Sequence, residues 1–371
     1  MENQPSIAII LGTRAELIKT FPVMLELKKK KIPYYFIHTG QHNLKDLCSL
    51  FGVKVPDIVL TGEPKKSSKF NSNQFKAIKW NISLLFKIRK ELKKLNCLKF
   101  VLYHGDTMTT ATASMATSRI INPFKKYRNV HLEAGLRSFN NFEPFPEEIS
   151  RRIAGRTSDI LFAVSEFSKK NLKKRGAKII HVGNTILDSA DIALKIANKK
   201  KTKVISKERF ALITVHRHEN LKSRERMEKI VSILTSIPIK SYFSMYDNTE
   251  SKLKEFGLYE KLIQSKNIKL MPPMNYPEFI YQLSKCSLIV CDGGSMQEES
   301  LIFKKPTIIL RMATERQEGL KTNFQFLSKL DVGKTKEKIK EYLSRGFKIK
   351  PFKNPYGEVG VSKKIVEELL K

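Results

Sequence analysis

The chain has 371 residues, 41% of them apolar, which is too many for one hydrophobic core and fits two domains of ordinary size. No apolar run approaches the roughly 18 residues that a membrane-crossing helix needs. The formal net charge of +33 is spread over short lysine runs, Lys28 to Lys31, Lys65-Lys66, Lys169-Lys170, Lys173 to Arg175 and Lys199 to Lys201; with no interleaved aromatics and no nucleic-acid module, these read as solvated faces, so nucleic acid is excluded as a partner and only a weak association with an anionic membrane surface is left open.

Met1 to Ser6 lacks the basic region, apolar core and cleavage site of a secretory signal, and a cytoplasmic, soluble protein is expected. Cys48, Cys97, Cys286 and Cys291 are widely spaced without a CxxC pair, so neither a disulfide framework nor a bound metal is expected. Ser6 to Leu11 is a short β-branched apolar run, the pattern of a buried parallel strand. Gly12 to Glu16 turns the chain into a helix with apolar spacing from Leu17 to Lys29. Strand, glycine turn and helix form the first unit of a doubly wound sheet, where helix amides can face a phosphate. The GxGxxG fingerprint and the Walker loop are absent, and Arg14 and Lys19 are placed to supply positive charge instead.

Tyr34 to Thr39 is a second strand, Glu63 to Asn73 a polar loop, Phe75 to Leu95 a basic amphipathic helix, and Lys99 to Tyr103 a further strand. His104-Gly105-Asp106-Thr107 stands at the carboxyl end of that strand, where Thr107 or Asp106 could serve only to cap the next helix. The stretch from His131 to Arg152 has the same design: a strand ending near Glu133, a turn at Gly135, and a helix start at Pro146-Glu147-Glu148. Carboxylates and arginines at the carboxyl edge of a sheet are where open α/β proteins hold ligands, although acids in a first helical turn also stabilise a helix and do nothing more.

Ile160 to Val164, a helix from Ser168 to Arg175, and Ile179 to Val182 complete the first sheet. The charged run Asn198 to Lys203 marks a boundary, giving an N-terminal domain 1–198, a C-terminal domain 199–350 and a segment 351–371 that packs back on the first domain. Strands recur at Ala211 to Val215, Ile239 to Met245, Ile268 to Met271, Leu288 to Cys291 and Thr307 to Leu310. His216 follows the first of these. Cys291 to Glu299 is again strand, glycines (Gly293, Gly294) and helix, with Ser295 as a candidate cap, amides for a diphosphate, and Arg311 and Arg316 nearby in sequence. The expected fold class is α/β, with two Rossmann-like doubly wound parallel-sheet domains facing a cleft.

Ten segments in order, GTRAELIK at Gly12, TGQH at Thr39, HGDTMTT at His104, HLEAGLRS at His131, PEEISRR at Pro146, GNTILD at Gly183, HRHEN at His216, QEES at Gln297, TERQEG at Thr314 and NPYGEVG at Asn354, resemble the UDP-N-acetylglucosamine 2-epimerase family, which has the GT-B fold. The resemblance implies interconversion of UDP-GlcNAc and UDP-ManNAc, by elimination and re-addition of UDP without cofactor or metal, for surface polysaccharide. It assigns Asp106, Glu133 and Glu147 as the carboxylates that move protons, with His216 by the diphosphate or assisting proton transfer. Arg14, Lys19, Gly293, Ser295, Glu299 and Arg316 then bind substrate, Glu299 at the ribose hydroxyls, and Phe279 packs on uracil. A homodimer is implied as well.

Four departures from the family's pattern stand out: Asp292-Gly293-Gly294-Ser295 for Asp-Ser-Gly-Gly, Gln317 for proline, Asn43 for arginine and Tyr246 for histidine. Two other readings remain open, a hydrolysing epimerase that releases ManNAc and UDP, and a glycosyltransferase built on the same fold.

Overall fold

The computed structural model describes residues 4–62, 70–140, 143–172 and 176–371, with backbone alone over 70–77. Two compact units divide the chain. The first comprises Met1–Arg137, Phe145–Ser189 and Tyr356–Lys371, and the second Ser138–Pro144 and Ala190–Pro355.

The first unit is built on strands β1 (Ile7–Leu11), β2 (Tyr34–His38), β3 (Ile58–Val59), β4 (Phe100–His104), β5 (Arg128–Ala134), β6 (Ile160–Ala163) and β7 (Lys178–His181). They form one parallel sheet in the order β3-β2-β1-β4-β5-β6-β7. The second unit has β8 (Phe210–Thr214), β9 (Lys240–Ser244), β10 (Ile268–Met271), β11 (Leu288–Cys291), β12 (Thr307–Ile309) and β13 (Gln325–Leu327), parallel in the order β10-β9-β8-β11-β12-β13. Central strands such as Ile7–Leu11 and Leu288–Cys291 are buried at every position, which is why they read as continuous apolar runs rather than alternating ones. Both sheets are therefore doubly wound, with the strand order reversing between β1 and β4 and between β8 and β11. Ligands of open α/β sheets bind outside the carboxyl ends of the strands at such reversals.

Helices cover both sheets. Arg14–Lys29 begins with a capping box, Thr13 accepting from Glu16 N and Glu16 reaching back to Thr13 N, so the chain leaves β1 at a fixed angle. The C-terminal helix Val361–Leu370 belongs to the first unit, and the Asp188 carboxylate accepts from Gly360 N at 2.5 Å and Ser362 N at 2.6 Å. In the second unit Met227, Ile230 and Leu234 of helix Arg224–Leu234 pack with Phe243 and Val290 in one core. The short segment 138–144 is tied to this unit by Arg226 Nη1 donating to Glu143 Oε1 at 3.2 Å.

Several local expectations need correction. Phe70 to Asn73, read as loop, already lie in the helix Phe70–Leu92, while the rest of that loop, 63–69, lies outside the described residues together with Lys65-Lys66. The helix expected from Ser168 to Arg175 is Glu166–Lys170, and Lys173 to Arg175 lie outside the described residues. Ser295 is not a cap: Gly293 is the N-cap of helix Gly294–Ile302 and Ser295 sits inside its first turn, because the two-glycine turn starts the helix two residues earlier than a serine cap would need. Among the described residues no helix is long and apolar enough to cross a membrane.

Candidate active site

In the first unit the carboxyl ends of β1, β4 and β5 bring several of the sequence-derived candidates together. Glu133, near the end of β5, has φ +66° at a register shift between Leu132 and Ala134. A non-glycine residue in this left-handed region persists only where its surroundings hold it. Here Lys19 Nζ donates to Glu133 Oε1, Asn184 Nδ2 donates to the same oxygen at 3.3 Å, and His104 Nδ1 lies 4.0 Å from Oε2. Lys19 and Glu133 are both buried, so this is a desolvated ion pair fixed by partners from separate elements.

Asp106 follows β4 and accepts a hydrogen bond from Arg151 Nη2. Arg151 is buried and also donates to Glu148 Oε2 at 3.1 Å, which turns the first turns of helix Glu147–Thr157 toward the β4 loop. Glu147 opens that helix, partly buried. His131 Nε2 donates to the Gly105 carbonyl at 2.8 Å, and a Cβ on Gly105 would stand 3.5 Å from Glu133 Oε2. The loop that carries Asp106 therefore abuts the Glu133 carboxylate. Burial pushes both His104 and His131 down to about 4, so both rings are neutral near pH 7. Arg14 stands apart at the surface, its Nη1 donating to Asp46 Oδ2 at 3.0 Å and to the Asn43 carbonyl at 3.3 Å.

A buried acid beyond these candidates links the two loops. Glu16 Oε2 accepts from Gly12 N at 2.6 Å and Thr13 N at 2.9 Å, while Oε1 accepts from Thr107 Oγ1 at 2.5 Å and Thr110 Oγ1 at 3.2 Å. Its carboxyl is raised above the ordinary range by burial, against the pull of these donors. Thr107, whose side chain caps helix Met108–Ala116, is thereby tied to the turn after β1.

In the second unit Asp292, at the end of β11, accepts from the backbone N of His216 at 3.0 Å and of Arg217 at 2.9 Å, and from Asn220 Nδ2 at 3.0 Å. This fixes the loop after β8 and leaves the His216 ring partly exposed, 3.9 Å from Asp292 Oδ1 and 5.2 Å from the Tyr246 ring. A Cβ on Gly293 would approach His216 Nε2 to 3.3 Å, and one on Gly294 would come within 2.6 Å of Arg316 Nη1. The glycines thus let a ring and a guanidinium lie directly against the start of helix Gly294–Ile302, whose first amides have no helical carbonyl to bond. Arg316 is held by Glu298 Oε1 at 3.1 Å from Nε and by Glu315. Glu299 is buried in the same helix and accepts from Tyr276 Oη at 2.9 Å. Phe279 is partly buried in helix Tyr276–Lys285, packed against Ile280 and Ala193.

The model of the family described as UDP-N-acetylglucosamine 2-epimerase matches residues 25–370. The chain belongs to this family. It is 35% identical to the UDP-N-acetylglucosamine 2-epimerase of Methanocaldococcus jannaschii over 98% of both chains, and 30% identical to that of Bacillus subtilis over 97% of this chain and 94% of the other. Among solved structures, the M. jannaschii UDP-GlcNAc 2-epimerase in complex with UDP-GlcNAc and UDP superposes with a TM-score of 0.81 at 32% identity, covering 98% of this chain and 99% of that one. The Neisseria meningitidis UDP-GlcNAc 2-epimerase bound to UDP-GlcNAc gives 0.80 at 29% identity with the same coverage.

For an epimerase-family chain, the geometry gathers Lys19, Asp106 and Glu133 within one hydrogen-bonded edge of the first unit, with Glu147 on the helix that Arg151 ties to it. It gathers His216, Gly293, Gly294 and Arg316 at one edge of the second. Glu16, Asn184, Glu148 and Tyr276 complete these networks and are not among the sequence-derived candidates. For Glu16 the signal was present, since Thr13-x-x-Glu16 is a capping-box pattern; the reach of Tyr276 to Glu299 has no local signature.

Proposed function

We propose that the chain is a cofactor-independent epimerase that interconverts UDP-GlcNAc and UDP-ManNAc, a cytoplasmic step toward surface polysaccharide. Inversion at C2 requires a base for the C2 proton, an acid on the opposite face, and stabilisation of departing UDP. The observation that carries the reading is Glu133, held in a strained backbone conformation with Lys19, Asn184 and the Asp106 loop around it. Strain kept by converging partners marks a residue positioned for chemistry. Lys19 favours the ionised form of Glu133 and Arg151 that of Asp106, the state a base needs. Glu147, at the start of helix Glu147–Thr157, is the third carboxylate available to exchange a proton.

Departure of UDP develops negative charge on the diphosphate. The amides opening helix Gly294–Ile302, the Ser295 hydroxyl, Arg316 and His216 supply donors for it, and Arg14 adds positive charge in the first unit. Glu299 accepts from the ribose hydroxyls and Phe279 packs on the base. In this reading the first unit carries the proton chemistry and the second the nucleotide, with Tyr356–Lys371 completing the first. We place the enzyme as a homodimer, checked by sedimentation equilibrium, with weak salt-sensitive attraction to anionic vesicles from its +33 charge.

The deciding experiment incubates the purified chain with UDP-GlcNAc in deuterated water and follows the sugar by proton NMR. Deuterium at C2 in a mixture of UDP-GlcNAc and UDP-ManNAc is the expected result. Free ManNAc with UDP would select the hydrolysing reaction, and absence of exchange and product would overturn the proposal.

A further inference from the structure

Glu299 and Tyr276 are 23 residues apart and joined by one hydrogen bond, Tyr276 Oη to Glu299 Oε1 at 2.9 Å. Tyr276 opens helix Tyr276–Lys285, which Asn275 fixes by accepting from Glu278 N at 3.1 Å. Its ring packs in a cluster with Ala190, Ala193 and Ile280. Burial, and then the neighbouring Glu299 charge, keep the phenol well above its ordinary pKa, so it stays protonated and can only donate toward the carboxylate.

A glutamate side chain has three rotatable bonds, the last of them broad, and a carboxylate offers about four lone-pair positions. One rigid donor therefore fixes the carboxylate plane while leaving acceptor capacity for further donors. We propose that Tyr276 is a positioning residue for nucleotide recognition: its hydroxyl sets the plane of the Glu299 carboxylate so that this acid accepts from the ribose hydroxyls of UDP. The inference rests on the reading of Glu299 as the ribose acid, and its test separates the two.

The test uses the full chain and calorimetric Kd values for UDP and for 2′-deoxy-UDP, compared as a ratio. A site that hydrogen-bonds a substrate hydroxyl rejects the analogue lacking it, so the native chain is expected to prefer UDP by about tenfold or more. Tyr276→Phe keeps the ring and removes only the donor; the preference should fall to about twofold, with KM for UDP-GlcNAc rising and kcat nearly unchanged. A merely structural tyrosine would weaken both nucleotides together and leave the ratio intact, which would overturn the inference. Tyr276→Met, which also cannot donate, gives a second measurement of the ratio should the phenylalanine variant melt early. Glu299→Ala is the control. If it abolishes the preference while both Tyr276 variants retain it, the positioning role fails and the ribose reading stands; if it too retains the preference, the ribose reading fails and takes the inference with it.

Discussion

Glu133 combines a left-handed backbone, a buried ion pair and an amide donor from Asn184 in one residue. A glutamine there keeps the shape and hydrogen-bonding reach but cannot take up a proton. Glu133→Gln is therefore expected to lower the C2 exchange rate by about 10²-fold or more while leaving UDP affinity within about threefold. A variant that exchanges deuterium at the native rate would remove Glu133 from the proton chemistry. Gly294 illustrates a different kind of constraint. The atoms a Cβ would meet there belong to the tip of Arg316, which is buried and ion-paired with Glu298 and Glu315, so moving it aside breaks those pairs. Gly294→Ala should thus melt several degrees below the native chain and, on the proposed reading of Arg316 as a diphosphate contact, raise KM for UDP-GlcNAc about tenfold or more. Unchanged KM would show that Arg316 does not contact substrate. At Gly40, by contrast, the clash is with the Thr61 carbonyl at 1.8 Å and φ is +97°, so a side chain there would disturb the backbone itself.

At the scale of elements, the strands were legible and their connections only partly so. Ile7–Leu11 and Leu288–Cys291 announce themselves because both faces are buried and every position is apolar, and Phe100–His104 nearly so, with His104 closing an otherwise apolar run. Ile58–Val59 and Gln325–Leu327 are too short to carry a period and exist because a neighbouring strand offers its edge. The loops after β1 and β4 are joined through Glu16, whose carboxylate receives donors 91 and 94 residues away, a pairing no window of sequence contains. The same loops carry a pH signature. His131 holds Gly105 while neutral, with a folded pKa of about 4 against about 6.5 for an unfolded histidine. Between those values the unfolded chain binds more protons, so this contribution is complete above about pH 6.5 and is lost as pH falls toward 4, up to about 3 kcal/mol. Glu16, with its carboxyl raised, has the opposite slope, so the total curve mixes signs. The difference between native and His131→Gln chains isolates one group: in urea titrations the native chain should lose about 2 to 3 kcal/mol relative to the variant between pH 7 and pH 4.5. Parallel curves would mean that His131 is charged or accessible in the folded state.

At the scale of the molecule, family and fold were readable from ten short segments, whereas the partners within the site were not, since Lys19 and Glu133 lie 114 residues apart. The net charge of +33 is the remaining global feature. Many ion pairs of the described residues are exposed helical neighbours, such as Lys195–Asp191, Lys229–Glu225 and Lys254–Glu250, each at 2.6 Å. Such pairs contribute little and are weakened by salt. Mutual repulsion among the excess lysines acts over longer distances and destabilises the compact state. Raising ionic strength from 10 mM to 200 mM shortens the screening length from about 30 Å to under 10 Å, which removes long-range repulsion more completely than contact attraction. The melting temperature is therefore expected to rise by roughly 2 to 4 °C over that interval, equally with NaCl and KCl. A fall would show that the surface pairs outweigh the repulsion, and a rise specific to phosphate or sulfate would trace the effect to a bound anion rather than to screening of the whole surface.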